Sequence, residues 1–180
     1  MKISMIAAMD RNRVIGKGEG GVPWHLPRDV ARFRSFADGK HLLMGRRTFE
    51  EMKGWFTNQT PIVLTHQPDY RPVVGRRAHS VEEAVTEAFE DGAAELMVCG
   101  GASVYTLALP YADELLLTLV DAADSFENSV VFPDYLTDVE WETLSEDYFD
   151  ADEENSLAMT FLHLRRLSPS SLRPGRLHLI

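Results

Sequence analysis

The chain has 180 residues, of which 44% are hydrophobic and 26% are charged, and these fractions are typical of one globular domain. The formal net charge of −10 argues against a nucleic-acid partner, since no basic stripe is present to contact phosphates. The single cysteine, Cys99, excludes an internal disulfide, and no apolar run is long enough to span a membrane, so we expect a cytoplasmic protein without a membrane partner.

Strands and helices alternate through the first half of the chain. An apolar run at residues 3–9 predicts a strand that is buried on both faces. The glycine-rich segment 10–24 has no periodicity, and we expect a long mobile loop there. The next predicted elements are a helix at 26–37, a strand at 41–45, a helix at 46–52 and a strand at 61–65.

The helix that begins after Ser80 has the clearest boundaries in the sequence. Ser80 and Glu83 have the spacing of a capping box, and Gly92 ends the helix. Beyond it we predict a strand at 95–101, a helix at 102–109 and three strands at 113–122, 141–149 and 157–167. This order predicts an α/β fold in which a mostly parallel sheet has antiparallel C-terminal strands. The domain spans residues 1–167, and residues 168–180 form a C-terminal tail.

Asp29 is an acidic residue on the apolar side of the predicted helix at 26–37. That side is formed by Leu26, Val30, Phe33 and Phe36. The opposite side carries Arg28, Arg32 and Ser35. The helix dipole alone favours an acid in a first turn, whatever its function. The adjacent Trp24 and the loop before it favour the other interpretation, a carboxylate that holds or passes a proton in a pocket with little water.

Two junctions in which a strand, a glycine and a helix follow one another indicate an anion site. They lie at Gly45 and at Gly100–Gly101, and each presents free backbone N–H groups at a helix start. A glycine at a turn also has a purely steric explanation. Two junctions in one small domain nevertheless favour a long ligand with phosphates, which Arg46 and Arg47 would bind through charged hydrogen bonds. The histidines and Cys99 lack the spacing of metal ligands, so we expect no metal.

Six motifs resemble, in order and spacing, those of the bacterial chromosomal dihydrofolate reductases. They are "IAAMDRNRVIG", "VPWHLPRDVARF", "MGRRTFE", "CGGASVY", "LTLVDA" and "FPDY", and the resemblance covers residues 2–167. It implies a mixed, mostly parallel eight-stranded sheet flanked by four helices. It also implies a monomer that reduces 7,8-dihydrofolate to 5,6,7,8-tetrahydrofolate with NADPH, a step of tetrahydrofolate biosynthesis and one-carbon metabolism.

The resemblance assigns roles to individual residues. Asp29 would bind the pterin 2-amino group and N3 and favour protonation at N5, while Trp24 and Thr118 would hold the associated water and support the acid. Segment 10–24 would be a mobile lid. The pterin pocket would be lined by Ile6, Ala8, Val30, Phe33, Met52 and Cys99. The cofactor would contact Ala8, Ile15, Gly16, Gly45, Arg46, Arg47, Thr48, Leu64, Thr65, His66, Cys99, Gly100, Gly101, Ala102, Ser103, Val104 and Tyr105. A cis peptide bond would join Gly100 and Gly101.

Three positions depart from the family pattern. Gln59 stands where the family has the arginine that holds the glutamate α-carboxylate of the substrate, and Gly54 replaces another contact of that tail. Ser103 replaces a cofactor arginine. Two alternatives therefore stay open, a reductase of tail-less dihydropterins on the same scaffold and a non-catalytic pteridine- or nucleotide-binding protein. The combination of Trp24, Asp29 and Thr118 argues against the second, because binding alone does not require all three.

Overall fold

The structure is a computed structural model that describes residues 1–18, 21–123, 128–137 and 139–168. Its strands are β1 (Lys2–Met9), β2 (Val14–Gly16), β3 (His41–Gly45), β4 (Thr60–Leu64), β5 (Arg76–Ala78), β6 (Glu95–Gly100), β7 (Glu114–Val120), β8 (Val130–Val131), β9 (Trp141–Phe149) and β10 (Met159–Arg166). Its helices are α1 (Pro27–Ala37), α2 (Arg46–Glu51), α3 (Val81–Glu90) and α4 (Ala102–Ala108), and a 3₁₀ turn spans Leu109–Tyr111.

Eight of the described strands form one sheet with the order β5-β4-β3-β6-β1-β7-β10-β9. The first six are parallel, and β10 pairs antiparallel with both β7 and β9. The predicted fold class is confirmed, with four α-helices flanking this sheet among the described residues. Because β1, β3, β6 and β7 run in the same direction, their carboxyl ends meet at one edge, where the predicted site residues of all four strands lie.

Both faces of the sheet are buried, because alternate residues of its central strands point to opposite sides. In β1, Met5 belongs to the hydrophobic cluster that includes residues of α3 and α4. Ile6 belongs to the cluster that includes residues of α1 and α2. In β3, Leu43 joins the first cluster, and Leu42 joins the second. The continuous apolar run of β1 therefore reflects burial on two faces, as predicted.

The segment between β1 and α1 contains regular structure that the sequence did not predict. Val14–Gly16 forms β2, which pairs antiparallel with β8 at Val130–Val131. The Asp10 carboxylate accepts the backbone N–H groups of Asn12 and Val14, both at 2.8 Å, and so orders the turn before β2. The prediction of a loop without strands over 10–24 is therefore wrong. A three-residue strand is too short to show periodicity, and its partner is distant in the sequence. Residues 19–20 of the predicted lid lie outside the described residues.

The ends of α3 agree with the capping signals in the sequence. The Ser80 side chain accepts the Glu83 backbone N–H at 3.1 Å, and Gly92 takes a positive φ of 78° after the helix. The Glu83 carboxylate in turn accepts the His79 N–H at 2.7 Å, one residue before the position expected in a capping box.

None of the described helices has both the length and the apolar character needed to cross a membrane. The last described strand ends at Arg166. Residues 169–180 of the predicted tail lie outside the described residues.

Candidate active site

Asp29 lies in the first turn of α1, and a hairpin from the far end of the chain holds that turn in place. Pro27 starts the helix with a φ that suits a first helical residue, and Leu26 before it is only 2% exposed. The buried Asn155, from the connection between β9 and β10, accepts the Arg28 backbone N–H at 2.9 Å. That bond satisfies one of the amide groups that a helix start leaves without an internal partner.

Thr118, near the end of β7, supports the Asp29 carboxylate directly. Its hydroxyl donates to Asp29 Oδ1 at 2.6 Å, and its side chain is fully buried. In the sheet register, Thr118 lies beside Ala8 of β1, so the acid sits over the carboxyl ends of two central strands. The structure therefore brings Asp29 and Thr118 together, as the family resemblance implied.

Burial dominates the electrostatics of Asp29. Loss of solvent raises the pKa of its carboxyl above the usual value of 3.8, because a charge is less stable in a medium of low polarity. The hydrogen bond from Thr118 and the positive charge of Arg32 act in the opposite direction. The carboxyl therefore retains a proton to higher pH than an exposed aspartate does, which suits a group that handles protons near neutrality.

Arg32 also lies at this site, although the helical pattern placed it with Arg28 on the face opposite the apolar stripe. Its Nη1 donates to Thr118 Oγ1 at 3.0 Å and to the Leu117 carbonyl at 3.2 Å. That face of α1 is covered at Arg32, because β10 continues the sheet beside β7 and places Phe161 there. The guanidinium lies over the β10 residue Phe161, with 4.4 Å between the guanidinium carbon and the ring centroid.

The predicted pterin-pocket residues divide between two neighbouring apolar clusters. The cluster that contains α1 and α2 residues includes Ile6, Phe33, Met52 and Cys99. The second includes Ala8 and Trp24, which pack with Leu26. Val30 is 44% exposed, so the structure places it at the rim of the apolar stripe. The sequence did not single out Trp55, whose ring lies 5.0 Å from that of Phe33.

A cavity of about 870 Å³ opens at this same edge of the sheet. All of the predicted cofactor residues line it except Gly100, whose neighbours Cys99 and Gly101 both do. The cavity wall also includes two charged residues that sequence reasoning missed, Lys17 and Glu51. Nothing in their local patterns marked them, since both lie next to the predicted residues without belonging to a motif.

The two glycine junctions lie side by side in the cavity wall. A Cβ atom on Gly45 would lie 3.3 Å from Val104 and 3.8 Å from the Gly100 carbonyl oxygen, so the backbones approach closely. Gly100 has a φ of 107°, and a side chain there would meet the Tyr105 ring at 3.0 Å. The Gly100–Gly101 peptide bond is cis, as the resemblance implied. These glycines therefore allow the two junctions and α4 to pack closely against each other.

The paired arginines at the first junction differ in their surroundings. Arg46 forms an ion pair with Glu50 at 3.1 Å, one helical turn further along α2. Arg47 has no ion pair within the described part of the chain, and it lines the cavity. Thr65 and His66 line the same cavity after β4. Arg47 is therefore the better placed of the two to bind an anionic group of a ligand.

The loop after α2 contains the departure at Gln59. Its side-chain oxygen accepts the backbone N–H groups of Thr57 at 2.9 Å and Asn58 at 3.3 Å, so this end of the amide is used within the loop. Arg34 lies nearby on α1, with its guanidinium 5.9 Å from the Trp55 ring centroid. It has no ion pair within the described ranges.

The metal-binding residue types do not cluster in the described part of the chain, where no group of three His, Cys, Asp or Glu side chains is placed to hold an ion. Cys99 is a free thiol whose Sγ lies 3.6 Å from the Met97 carbonyl oxygen. Burial raises the pKa of this thiol well above its usual range, which keeps it neutral. Cys99 is thus a wall residue of the site.

Comparison with known proteins gives one consistent answer. A family model described as dihydrofolate reductase matches residues 2–166. A dihydrofolate reductase type 3 from Salmonella typhimurium is 37% identical over 166 residues, which cover 92% of this chain and 99% of that protein. The dihydrofolate reductase of Bacillus subtilis is 35% identical over 168 residues, with coverage of 93% and 96%. A solved dihydrofolate reductase from Enterococcus faecalis, complexed with NADP(H) and RAB-propyl, has a TM-score of 0.80 and 34% identity, covering 93% of this chain and 97% of that one.

Proposed function

Because this chain belongs to the dihydrofolate reductase family, we propose that it reduces 7,8-dihydrofolate to 5,6,7,8-tetrahydrofolate with NADPH and that Asp29 handles the proton. The observation that carries the proposal is the 2.6 Å hydrogen bond between the buried Thr118 hydroxyl and the Asp29 carboxylate, at the sheet edge that also bears the large cavity. The reaction belongs to tetrahydrofolate biosynthesis and one-carbon metabolism.

The cavity has the chemistry that a phosphorylated dinucleotide requires. Gly45 and Gly101 belong to its wall at the starts of α2 and α4, and Arg47 offers a guanidinium without an ion pair in the described residues. Its volume of about 870 Å³ is within the range of cofactor pockets. When bound, NADPH supplies a hydride for C6 of the pterin. The residues proposed to hold it are those named above from the resemblance, including Gly100.

Asp29 is proposed to bind the 2-amino group and N3 of the pterin and to favour protonation at N5. Thr118 donates one hydrogen bond to Oδ1, so the remaining acceptor capacity of Oδ1 and all of Oδ2 are assigned to the two pterin donors. Burial raises the pKa of the Asp29 carboxyl above its usual value, so it holds a proton to higher pH than an exposed aspartate does. Trp24, which packs with Leu26 at the start of α1, is proposed to hold the associated water.

The substrate pocket proposed here has Ile6, Phe33, Met52 and Cys99 as its apolar wall, with Ala8 and Val30 at its edges. Four of these residues share one cluster, which supports the assignment. The segment 10–24 is proposed to act as a lid over the site, with β2 as a fixed point inside it.

The remaining features of the proposal concern the protein as a whole. We propose a cytoplasmic monomer with no nucleic-acid partner, in which residues 1–167 form the catalytic domain and 168–180 form a tail. The net charge of −10 supports the absence of a nucleic-acid partner, and the single cysteine supports a reducing compartment. Neither alternative function is favoured, because the relatives named above are all dihydrofolate reductases.

A direct assay tests the proposed activity. Loss of NADPH absorbance is followed after adding 7,8-dihydrofolate or a tail-less dihydropterin to the full chain, and cofactor binding is measured separately by fluorescence. We expect turnover of dihydrofolate. Cofactor binding without turnover of either substrate would instead identify a binding protein, and turnover of the tail-less substrate alone would identify the other alternative.

A further inference from the structure

The Arg32 side chain is unusual for a charged group on a surface helix, because it points towards the sheet beside Asp29. Its guanidinium lies over two aromatic rings, with centroid distances of 4.4 Å to Phe161 and 5.4 Å to Phe36. Its Nη1 donates to the Leu117 carbonyl and to Thr118 Oγ1. These contacts hold the cation in one position without placing it against the carboxylate itself.

The hydrogen-bond chemistry of Thr118 then has a single solution. A guanidinium has only donors, so the Thr118 oxygen must act as the acceptor from Arg32. A hydroxyl has one proton, and the carboxylate of Asp29 is the acceptor 2.6 Å away. The threonine proton therefore points at Asp29. A carboxylate that accepts a hydrogen bond is stabilised in its ionised form.

We propose that Arg32 is a positioning residue for Asp29, which directs the Thr118 hydroxyl proton onto the carboxylate and places a fixed positive charge behind it. The inference rests on the proposed role of Asp29 and deepens it. Arg32 is not among the residues that line the cofactor cavity. It acts on the reaction through Thr118 and through its charge.

Several other ionisable groups face this pair. The charge of Asp147 of β9 also acts on Arg32 and favours its protonated form. The Tyr105 phenol of α4 donates to the Ile6 carbonyl at 2.6 Å, and burial raises its pKa well above its usual range. Cys99 of β6 is also neutral because burial raises the pKa of its thiol. Arg32 is thus the cation that opposes the effect of burial on Asp29.

The experiment compares pH profiles of kcat/KM for the full chain and its variants. Arg32→Met removes the charge and the donors while keeping an apolar stem against Phe161, and Arg32→Lys keeps the charge. Arg28→Met is the matched control, because Arg28 lies one turn earlier on α1, over the ring of Phe149, and its ion pair is with Asp152 at 2.8 Å. In parallel, the Asp29 carboxyl is titrated by ¹³C NMR in the free protein, which reports on Arg32 even if the enzyme shows no turnover.

We expect Arg32→Met to move the midpoint of the pH profile upward by about one pH unit, because removing a nearby cation favours every protonated form at the site. The NMR midpoint of Asp29 should move in the same direction. Arg28→Met should leave both midpoints unchanged, and Arg32→Lys should move them less than Arg32→Met does. If Arg32→Met leaves both midpoints in place, the inference is overturned. If Arg32→Met does not fold, Arg32→Gln, which also removes the charge but keeps amide donors, takes its place, and unchanged midpoints in Arg32→Gln overturn the inference in the same way.

A double-variant cycle tests the part played by Thr118. In a Thr118→Val background the hydroxyl is gone, so Arg32→Met should shift the NMR midpoint of Asp29 less than it does in the parent. Equal shifts in the two backgrounds would show that Arg32 acts by its charge alone. They would overturn the proposal that Arg32 orients the Thr118 hydroxyl towards Asp29. An Asp29→Asn variant with full activity would instead contradict the proposed function, and the NMR result for Arg32 would still stand on its own.

Discussion

The hydroxyl of Thr118 and the carboxylate of Asp29 lie 2.6 Å apart although 89 residues separate them in the chain. One residue is on the central sheet, and the other is in the first turn of the helix that crosses it. Burial at this contact raises the pKa of the Asp29 carboxyl, while the hydrogen bond from Thr118 acts in the opposite direction and favours the ionised form.

Asp29→Asn should lose about 100-fold or more in turnover at neutral pH, the usual effect of removing a positioned acid–base group. Asparagine has almost the same shape and still accepts the Thr118 hydroxyl, so the loss reports on the ionisable group. Activity should partly recover in acid, where the substrate arrives already protonated. The measurement is kcat/KM against pH, and a variant as active as the parent at neutral pH would make Asp29 a simple first-turn acid.

The same substitution should stabilise the folded protein at neutral pH. Burial raises the pKa of Asp29 above 3.8, so the folded chain binds more protons than the unfolded chain, and stability falls as pH rises through the folded-state pKa. Asparagine does not ionise, so the variant does not lose this stability as the pH rises. The Tm of Asp29→Asn should therefore exceed that of the parent at neutral pH, and the difference should fade as pH falls towards 3.8.

Asp152→Asn provides the control of opposite sign for that measurement. Hydrogen bonds from the Asn155 side chain and backbone lower the pKa of Asp152 to about 2. Its contribution to stability is present above 3.8 and is lost as pH falls towards 2. Asp152→Asn should thus lower the Tm at neutral pH and have little effect in strong acid. The same sign for both variants would contradict the assignment of the two environments.

Arg47→Ala should weaken NADPH binding about ten- to hundredfold, since a charged hydrogen bond contributes about 1.5–3 kcal/mol. NADH, which lacks the 2′-phosphate, should bind nearly as before. Arg46→Ala should have a smaller effect on NADPH, because Arg46 is engaged by Glu50. Fluorescence titration measures the affinities of the parent and of both variants for NADPH and for NADH. Equal weakening of NADPH and NADH by Arg47→Ala would remove Arg47 from the proposed phosphate site.

Gln59→Arg should increase the preference for dihydrofolate over a tail-less dihydropterin by about 30- to 150-fold, which corresponds to about 2–3 kcal/mol for a paired carboxylate. The parent has only a neutral amide there, and its oxygen is used by Thr57 and Asn58. Thr57→Arg adds the same charge at an exposed position of the loop and should change the ratio little. The measurement is kcat/KM for both substrates. A parent that already favours the tailed substrate by several hundredfold would show that another residue, such as Arg34, holds the tail.

Local patterns were sufficient for most of the secondary structure. The apolar run of β1, the capping signals of α3 and the glycine after β3 each depend on residues close together in the chain, and the structure contains the corresponding elements. The short strands β2, β5 and β8 were missed, because two or three residues carry no measurable period and owe their pairing to distant partners.

The sequence by itself determined the fold class, the family and the candidate acid, because the motifs around Asp29 and the glycine junctions are local. Only the tertiary structure decided what surrounds that acid. The helical pattern placed Arg32 on the face opposite the apolar stripe, and a helical period does not show how far the sheet extends beneath that face. The antiparallel strand β10 brings Phe161 under α1, and Arg32 turns inward over that ring to reach Thr118. Such a contact depends on strand order and on the position of the helix over the sheet, and neither is encoded within a single segment of the chain.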